Sequence, residues 1–265
     1  MRTAHFASEL SRRNFAYSIT GGLALSLFSA PLPAQRTAGD GAGRMRARAV
    51  APVENPAPAG LHPLNVRNHR DSLVYIPQSA SKFAKAPLVL SLHGATQNAD
   101  RGISLLQTLA DEHGFLIVAP ASSDGTWEIG NPEGTDFDNV DESLAISFGL
   151  RNIDPARIAI AGFSDGASYS LSLGLSNGDL FHAVLAFSSG YMAGGPRVGK
   201  PTVFLSHGTA DPVFPIAATG RIVERNLKQA GYSVTFREFE GRHTLPPEVA
   251  SDAMRWLMAA PPLRT

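Results

Sequence analysis

An α/β architecture, a mostly parallel sheet with helices on both faces, is predicted by three features of the chain. Strand-like runs alternate with helical ones between about residues 73 and 257. The strand runs are short and almost wholly apolar, as strands buried on both faces are. The 265 residues, 43% of them hydrophobic, are enough to bury one substantial core. Neither an internal repeat nor a long insertion interrupts the alternation, so no large lid is expected.

Taken in order, Leu88-Val89-Leu90-Ser91 is a buried strand that ends at Leu92-His93-Gly94-Ala95. A helix is predicted over 103–113, and Phe115-Leu116-Ile117-Val118 returns to the sheet. A helix over 138–150 leads to Arg157-Ile158-Ala159-Ile160-Ala161, apolar and partly β-branched. The stretch 167–176 places leucines among small residues and stops at Asn177-Gly178, which predicts a helix packed closely on the sheet. Strands at Ala183-Val184-Leu185-Ala186-Phe187, Val203-Phe204-Leu205 and 234–239 alternate with helices over 216–230 and 247–258.

The amino-terminal part has a different character. Ser11-Arg12-Arg13-Asn14-Phe15-Ala16 precedes a mild apolar stretch and then Pro31-Leu32-Pro33-Ala34. Residues 1–34 therefore read as a twin-arginine-type export signal cleaved after Ala34, giving a periplasmic or secreted product. An uncleaved anchor or a misassigned start codon is the alternative, although Gly21-Gly22 and the short length argue against a membrane span. Residues 35–60, rich in Ala, Gly, Pro and Arg, read as a flexible linker before a catalytic domain over 61–265. Arg44, Arg46 and Arg48 are read there as a solvated tail, with contact to an acidic surface as the alternative.

Composition excludes several classes. Lys and Arg together number 23 against 23 Asp and Glu, and no basic concentration points to nucleic acid. There is no cysteine, which removes disulfides, a cysteine nucleophile and Cys-ligated metals. The histidines show no His-x-x-x-His spacing or carboxylate cluster, so no metal is expected.

Gly162-Phe163-Ser164-Asp165-Gly166 places a serine between strand and helix, with glycines that let the turn tighten. Downstream, Ser206-His207-Gly208-Thr209-Ala210-Asp211-Pro212 and Glu240-Gly241-Arg242-His243-Thr244 each follow a strand. The order Ser164, Asp211, His243 is that of an α/β-hydrolase triad: nucleophile, acid and base. A serine hydroxyl needs such a base, and the base needs a carboxylate to fix its tautomer. The oxyanion donors are assigned to the backbone N–H groups of Asp165 and Ala95. Asp136, Asp138 and Asp141 compete with Asp211 as the acid, and His93 and His207 with His243 as the base. His93 is read as structural at the oxyanion turn and His207 as support for the Asp211 loop. The Asp165 side chain is expected to favour the start of its helix. Trp127, Tyr191 and Met192 lie in loops at the carboxyl ends of strands, as pocket candidates or as ordinary loop packing.

These motifs resemble the bacterial phospholipase/carboxylesterase family and the polyhydroxybutyrate-depolymerase-like and feruloyl-esterase branch of the α/β-hydrolase superfamily. Leu92-His93-Gly94-Ala95-Thr96-Gln97 and Leu109-Ala110-Asp111-Glu112-His113-Gly114-Phe115 favour the second branch. The resemblance implies an α/β-hydrolase fold and a serine esterase that needs no metal or organic cofactor. Asp165, Ala167, Ala95 and Arg242 depart from residues common in relatives, which keeps substrate identity out of the inference. The expectation is an exported enzyme hydrolysing short or medium acyl, phenolic or hydroxyacid esters, small or polymeric, through an acyl-enzyme. A peptidase on the same fold and a non-catalytic binding protein are the alternatives.

Overall fold

The apolar runs assemble as one sheet. In the computed structural model, which describes residues 43–49, 53–67 and 72–262, the strands are β1 (Gly60–Pro63), β2 (Leu73–Ile76), β3 (Ala86–Leu92), β4 (Leu116–Ala119), β5 (Ile153–Phe163), β6 (Ala183–Phe187), β7 (Thr202–Gly208) and β8 (Val234–Phe239). Their spatial order is β1-β2-β4-β3-β5-β6-β7-β8. The β1–β2 and β2–β4 pairs are antiparallel and every later pair is parallel. The helices are α1 (Ala99–Ser104), α2 (Gln107–His113), α3 (Thr135–Phe148), α4 (Asp165–Ser176), α5 (Gly220–Gln229) and α6 (Pro247–Ala259).

Alternation along β3 divides the core into two layers. Leu88, Leu90 and Leu92 face a layer with α3, α4 and α5, supplied by Val140, Leu144, Leu171 and Leu227. Val89 faces the opposite layer, where Ile103, Leu109, Met254 and Leu257 of α1, α2 and α6 pack. Both faces are covered, as the unbroken apolar strands predicted. After β3 the chain crosses to β4 on one side and then returns to β5 on the other. The carboxyl ends of β3 and β5 therefore flank the point where strand order reverses, where open α/β sheets form sites.

The single helix expected over 103–113 is two. Ser91 Oγ–H donates to the carbonyl of Gly102 at 2.7 Å, and the Leu106 N–H reaches back to Ile103 instead, at 3.2 Å. A side chain from β3 has taken the carbonyl that would have continued the helix, so the chain turns at Leu105 and Leu106. Asn98, whose side chain accepts from the Arg101 N–H, starts α1 earlier than expected.

The linker expected over 35–60 is corrected where the structure describes it. Met45 and Ala47 are 2% and 5% exposed and join the core layer beside α3 and α4. Asp141 Oδ1 accepts the N–H groups of both Arg46 and Ala47 at 2.9 Å, and Asn177 Oδ1 accepts that of Met45 at 2.8 Å. Arg44 and Arg48 both reach Asp179, at 2.7 and 2.9 Å, so these arginines meet an acidic surface. Burial alone would raise the Asp179 pKa, but Arg44 and Arg48 hold it below its ordinary value. Further along, the Val53 N–H donates to Asn152 Oδ1 at 2.6 Å and that of Ala57 to the Leu150 carbonyl at 2.8 Å. Residues 1–34 lie outside the described residues, which hold no helix long and apolar enough to cross a membrane.

Asp141→Ala should lower unfolding free energy by about 1–3 kcal/mol, because it strips the acceptor from two backbone donors of the packed arm. Arg46→Ala, which removes an exposed partner of the same carboxylate, should cost no more than about 1 kcal/mol. Urea unfolding followed by circular dichroism measures both; equal losses would show that the ion pair, and not the backbone acceptor, holds the arm.

Candidate active site

Parallel register brings the ends of five strands to one edge. Leu92 pairs with Gly162, Phe163 with Phe187, Phe187 with Ser206, and Gly208 with Phe239. The segments that follow, which carry Ala95, Ser164, Asp211 and His243, consequently emerge side by side.

Ser164 sits between β5 and α4 at φ 57° and ψ −117°, a conformation that L-residues rarely adopt. Holding it there costs on the order of 1–3 kcal/mol. Its N–H donates to the Phe187 carbonyl at 2.9 Å, and its own carbonyl accepts from the Ala167 N–H at 3.1 Å. A Cβ on Gly166 would collide with the carbonyl oxygens of Leu92 and His93, and one on Gly162 with the Gly166 carbonyl. The two glycines of the pentapeptide thus let β5, α4 and the end of β3 approach to backbone contact.

Ser164 Oγ lies 2.8 Å from His243 Nε2, and His243 Nδ1 lies 2.7 Å from Asp211 Oδ2. A ring nitrogen facing a carboxylate carries the proton, so Nδ1–H donates to Asp211 and Nε2 accepts the serine O–H. Asp211 Oδ1 accepts the N–H groups of Val213 and Phe214 at 2.8 and 2.9 Å. Burial opposes ionisation of Asp211, yet donation from His243 and these two amides holds its pKa below the ordinary value. Phe163 and Phe214 flank the His243 ring, with centroids 4.9 and 5.5 Å away. His207 stands behind the acid: its Nε2–H donates to the Phe214 carbonyl at 2.7 Å and lies 3.3 Å from Asp211 Oδ2. Burial lowers the pKa of His207 and keeps the ring neutral beside that carboxylate.

The turn after β3 stands against the serine, and a Cβ on Gly94 would be 3.5 Å from that of Ser164. The Gly94 N–H is taken by Gln97 Oε1 at 3.1 Å and the Thr96 N–H by the Gly125 carbonyl at 2.6 Å. Between them, the Ala95 N–H makes no hydrogen bond to a described residue. The Asp165 N–H opens α4 and is among the donors that no intrahelical carbonyl reaches. His93 accepts the Ser122 N–H on Nε2 at 3.0 Å and donates from Nδ1 to the Gly94 carbonyl at 2.8 Å, a structural arrangement.

The other side chains singled out in the sequence take the following places. Trp127 is buried, not pocket-lining: its Nε1–H donates to the His93 carbonyl at 2.8 Å and its ring stacks on Tyr169 at 5.3 Å. Asp165 turns its carboxylate to the Thr126 hydroxyl and to the Trp127 N–H (2.9 Å), tying that loop to the nucleophile. Met192 packs partly buried against the core, whereas Tyr191 is 50% exposed at the rim, close enough to Asp165 to feel its charge. The rival acids have other partners. Asp136 accepts the N–H groups of Ser123 and Glu128, Asp141 those of the arm, and Asp138 faces Arg46.

A groove of about 640 Å³ runs from His243 and Phe163 between α1, α2 and α6, with Gln97, Arg101, Leu109 and Leu245 among its walls. Sequence reading missed it, because the walls come from three helices and the break in α1–α2 hides the shared face. Phe214 was missed too, although Asp-Pro initiates turns and a carboxylate commonly caps the amides two and three residues on. Among the described residues, no group of three or more His, Cys, Asp or Glu could hold a metal ion.

Fold and site together define the α/β-hydrolase class, with a Ser–His–Asp constellation at the switch point of the sheet. The chain resembles the phospholipase/carboxylesterase family: that family's model matches residues 137–259, a stretch containing Ser164, Asp211 and His243 but not the His93–Ala95 turn. It is similar to the bifunctional acetylxylan esterase/xylanase XynS20E of Neocallimastix patriciarum, 31% identical over 55% of this chain and 22% of that one. Acyl-protein thioesterase 1 of Gibberella zeae is 30% identical over 40% of this chain and 48% of its own. The chain therefore spans less than half the length of either curated relative. Among solved structures, esterase PE8 matches with a TM-score of 0.59 and 25% identity, over 71% of this chain and 97% of that one.

Trp127→Phe should lower unfolding free energy by about 1–3 kcal/mol, since it leaves the buried His93 carbonyl without its indole donor. Denaturant unfolding checks this; an unchanged midpoint would mean that the carbonyl finds another partner.

Proposed function

We propose that this chain is an exported serine esterase that hydrolyses carboxylic esters of short or medium acyl, phenolic or hydroxyacid type through an acyl-enzyme. The observation that carries the reading is the continuous relay from Ser164 Oγ to His243 Nε2 (2.8 Å) and from His243 Nδ1 to Asp211 (2.7 Å). On attack at the ester carbonyl, His243 takes the serine proton while Asp211 stabilises the imidazolium. The N–H groups of Ala95 and Asp165 receive the oxyanion, a role in which each such donor typically contributes about 3–4 kcal/mol to the transition state. His243 then protonates the leaving alcohol, and water, deprotonated by the same ring, releases the acid. The relatives' printed activities, acetylxylan esterase and acyl-protein thioesterase, both remove acyl groups, which supports ester over peptide cleavage.

A fluorophosphonate probe should label the folded protein, and Ser164→Ala should abolish labelling. His243→Ala should reduce p-nitrophenyl acetate turnover by about 10³-fold or more with the circular dichroism spectrum unchanged. Substantial turnover in the His243 variant would move the base elsewhere, and an unlabelled wild type would leave only a binding role. Export rests on Arg12-Arg13 and the apolar stretch behind them. Replacing both arginines by lysine should strand the protein in the cytoplasm, as fractionation would show; unimpeded export would refute a twin-arginine route.

A further inference from the structure

We propose that Arg101, with Gln97, makes the groove beside His243 select esters that carry a carboxylate close to the scissile bond, an inference that rests on the esterase reading. Gln97 and Arg101 lie four residues apart, across the start of α1, and both line the groove. Gln97 directly precedes the extended N-cap residue Asn98 and Arg101 lies in the first turn of α1, so both side chains stand at the end of the groove where α1 begins. The Gly94 N–H donates to the Gln97 side chain at 3.1 Å, so the atom facing it is the carbonyl oxygen and the amide NH₂ points elsewhere as a donor. The Arg101 side chain is exposed, and its guanidinium makes no hydrogen bond or ion pair with a described residue. The Gly94 turn abuts both Ser164 and the Gln97 side chain, so the Gln97 amide stands at the nucleophile's end of the groove, and Arg101 follows in the first turn of the helix that starts there.

The opposite end has the opposite sign. Glu112 also lines the groove, but it sits near the end of α2, which leads back to the amino end of β4 and away from the serine edge. Between them the walls carry no charge, mixing apolar Leu105, Leu109 and Leu245 with neutral polar Ser104, Gln107 and Thr108. A carboxylate near the ester meets a planar guanidinium able to bind it in bidentate fashion, whereas one carried far down the groove meets Glu112. The selected substrates are therefore anionic esters in which few bonds separate carboxylate and ester, on the acyl or on the alcohol side.

Matched pairs separate the two sides. For the acyl side, 4-nitrophenyl hydrogen adipate is compared with 4-nitrophenyl hexanoate; for the alcohol side, 4-acetoxybenzoate is compared with 4-acetoxybenzamide. Wild type should favour the anion in at least one pair. In that pair, Arg101→Gln should lower the anionic-to-neutral ratio of kcat/KM at least tenfold, chiefly through KM. Arg101→Lys should keep most of the preference and Arg101→Glu should reverse it. In wild type the ratio should also fall as salt rises from 50 to 500 mM, a readout that needs no variant. A ratio that moves with neither Arg101 nor salt, while neutral esters are turned over, overturns this inference alone. Absence of turnover on every ester, with no fluorophosphonate labelling of Ser164, overturns the esterase reading and this one with it.

Discussion

Backbone contact between α4 and the end of β3 is the constraint on which the site depends. The carbonyl oxygens of Leu92 and His93 occupy the space that any side chain at position 166 would need. That contact fixes how far the Gly94-Ala95 turn stands from the nucleophile, and it forces the chain through Ser164 into a left-handed conformation. Strain of this kind persists only where neighbours over-determine it. Here the Phe187 carbonyl, the first turn of α4, and the Trp127 and Asp165 contacts do so. The loop carrying Trp127 binds both the His93 carbonyl and the Asp165 carboxylate. It holds the turn after β3 and the start of α4 in one spatial relation.

The acid end of the relay is built by the same economy of groups. Asp211 is buried, which by itself disfavours its charge. Three donors reverse that balance: His243 and the amides of Val213 and Phe214. The turn that presents those amides also swings Phe214 against the His243 ring and offers the Phe214 carbonyl to His207. One short loop therefore favours the charged form of the carboxylate, aims it and walls one side of the His243 ring.

Much of this was legible in the chain. Unbroken apolar runs announce strands buried on both faces, and glycines at 162 and 166 mark a backbone approach that side chains would block. What misled was composition taken without pattern. Residues 44 to 48 read Arg-Met-Arg-Ala-Arg, and their arginines and small neighbours look like a linker. The strict alternation is nonetheless that of an extended segment with one face buried, and Met45 and Ala47 are the buried face. Trp127 misled for a different reason. A loop at the carboxyl end of a strand is a fair place for a pocket, but the indole N–H found a buried carbonyl and the ring turned inward to it.

The sequence alone determined the unbroken apolar strands, the glycine-flanked serine turn and the order of Ser164, Asp211 and His243, because each is encoded by local residue type and spacing. The tertiary structure alone decided which of several aspartates faces the histidine, which aromatic is packing and which is rim, and where the groove runs. Those depend on the segments after β3, β5, β7 and β8 and on side chains from α1, α2 and α6 meeting at the carboxyl edge of the sheet. Such contacts join residues far apart in the chain, and no local pattern records which of them will meet.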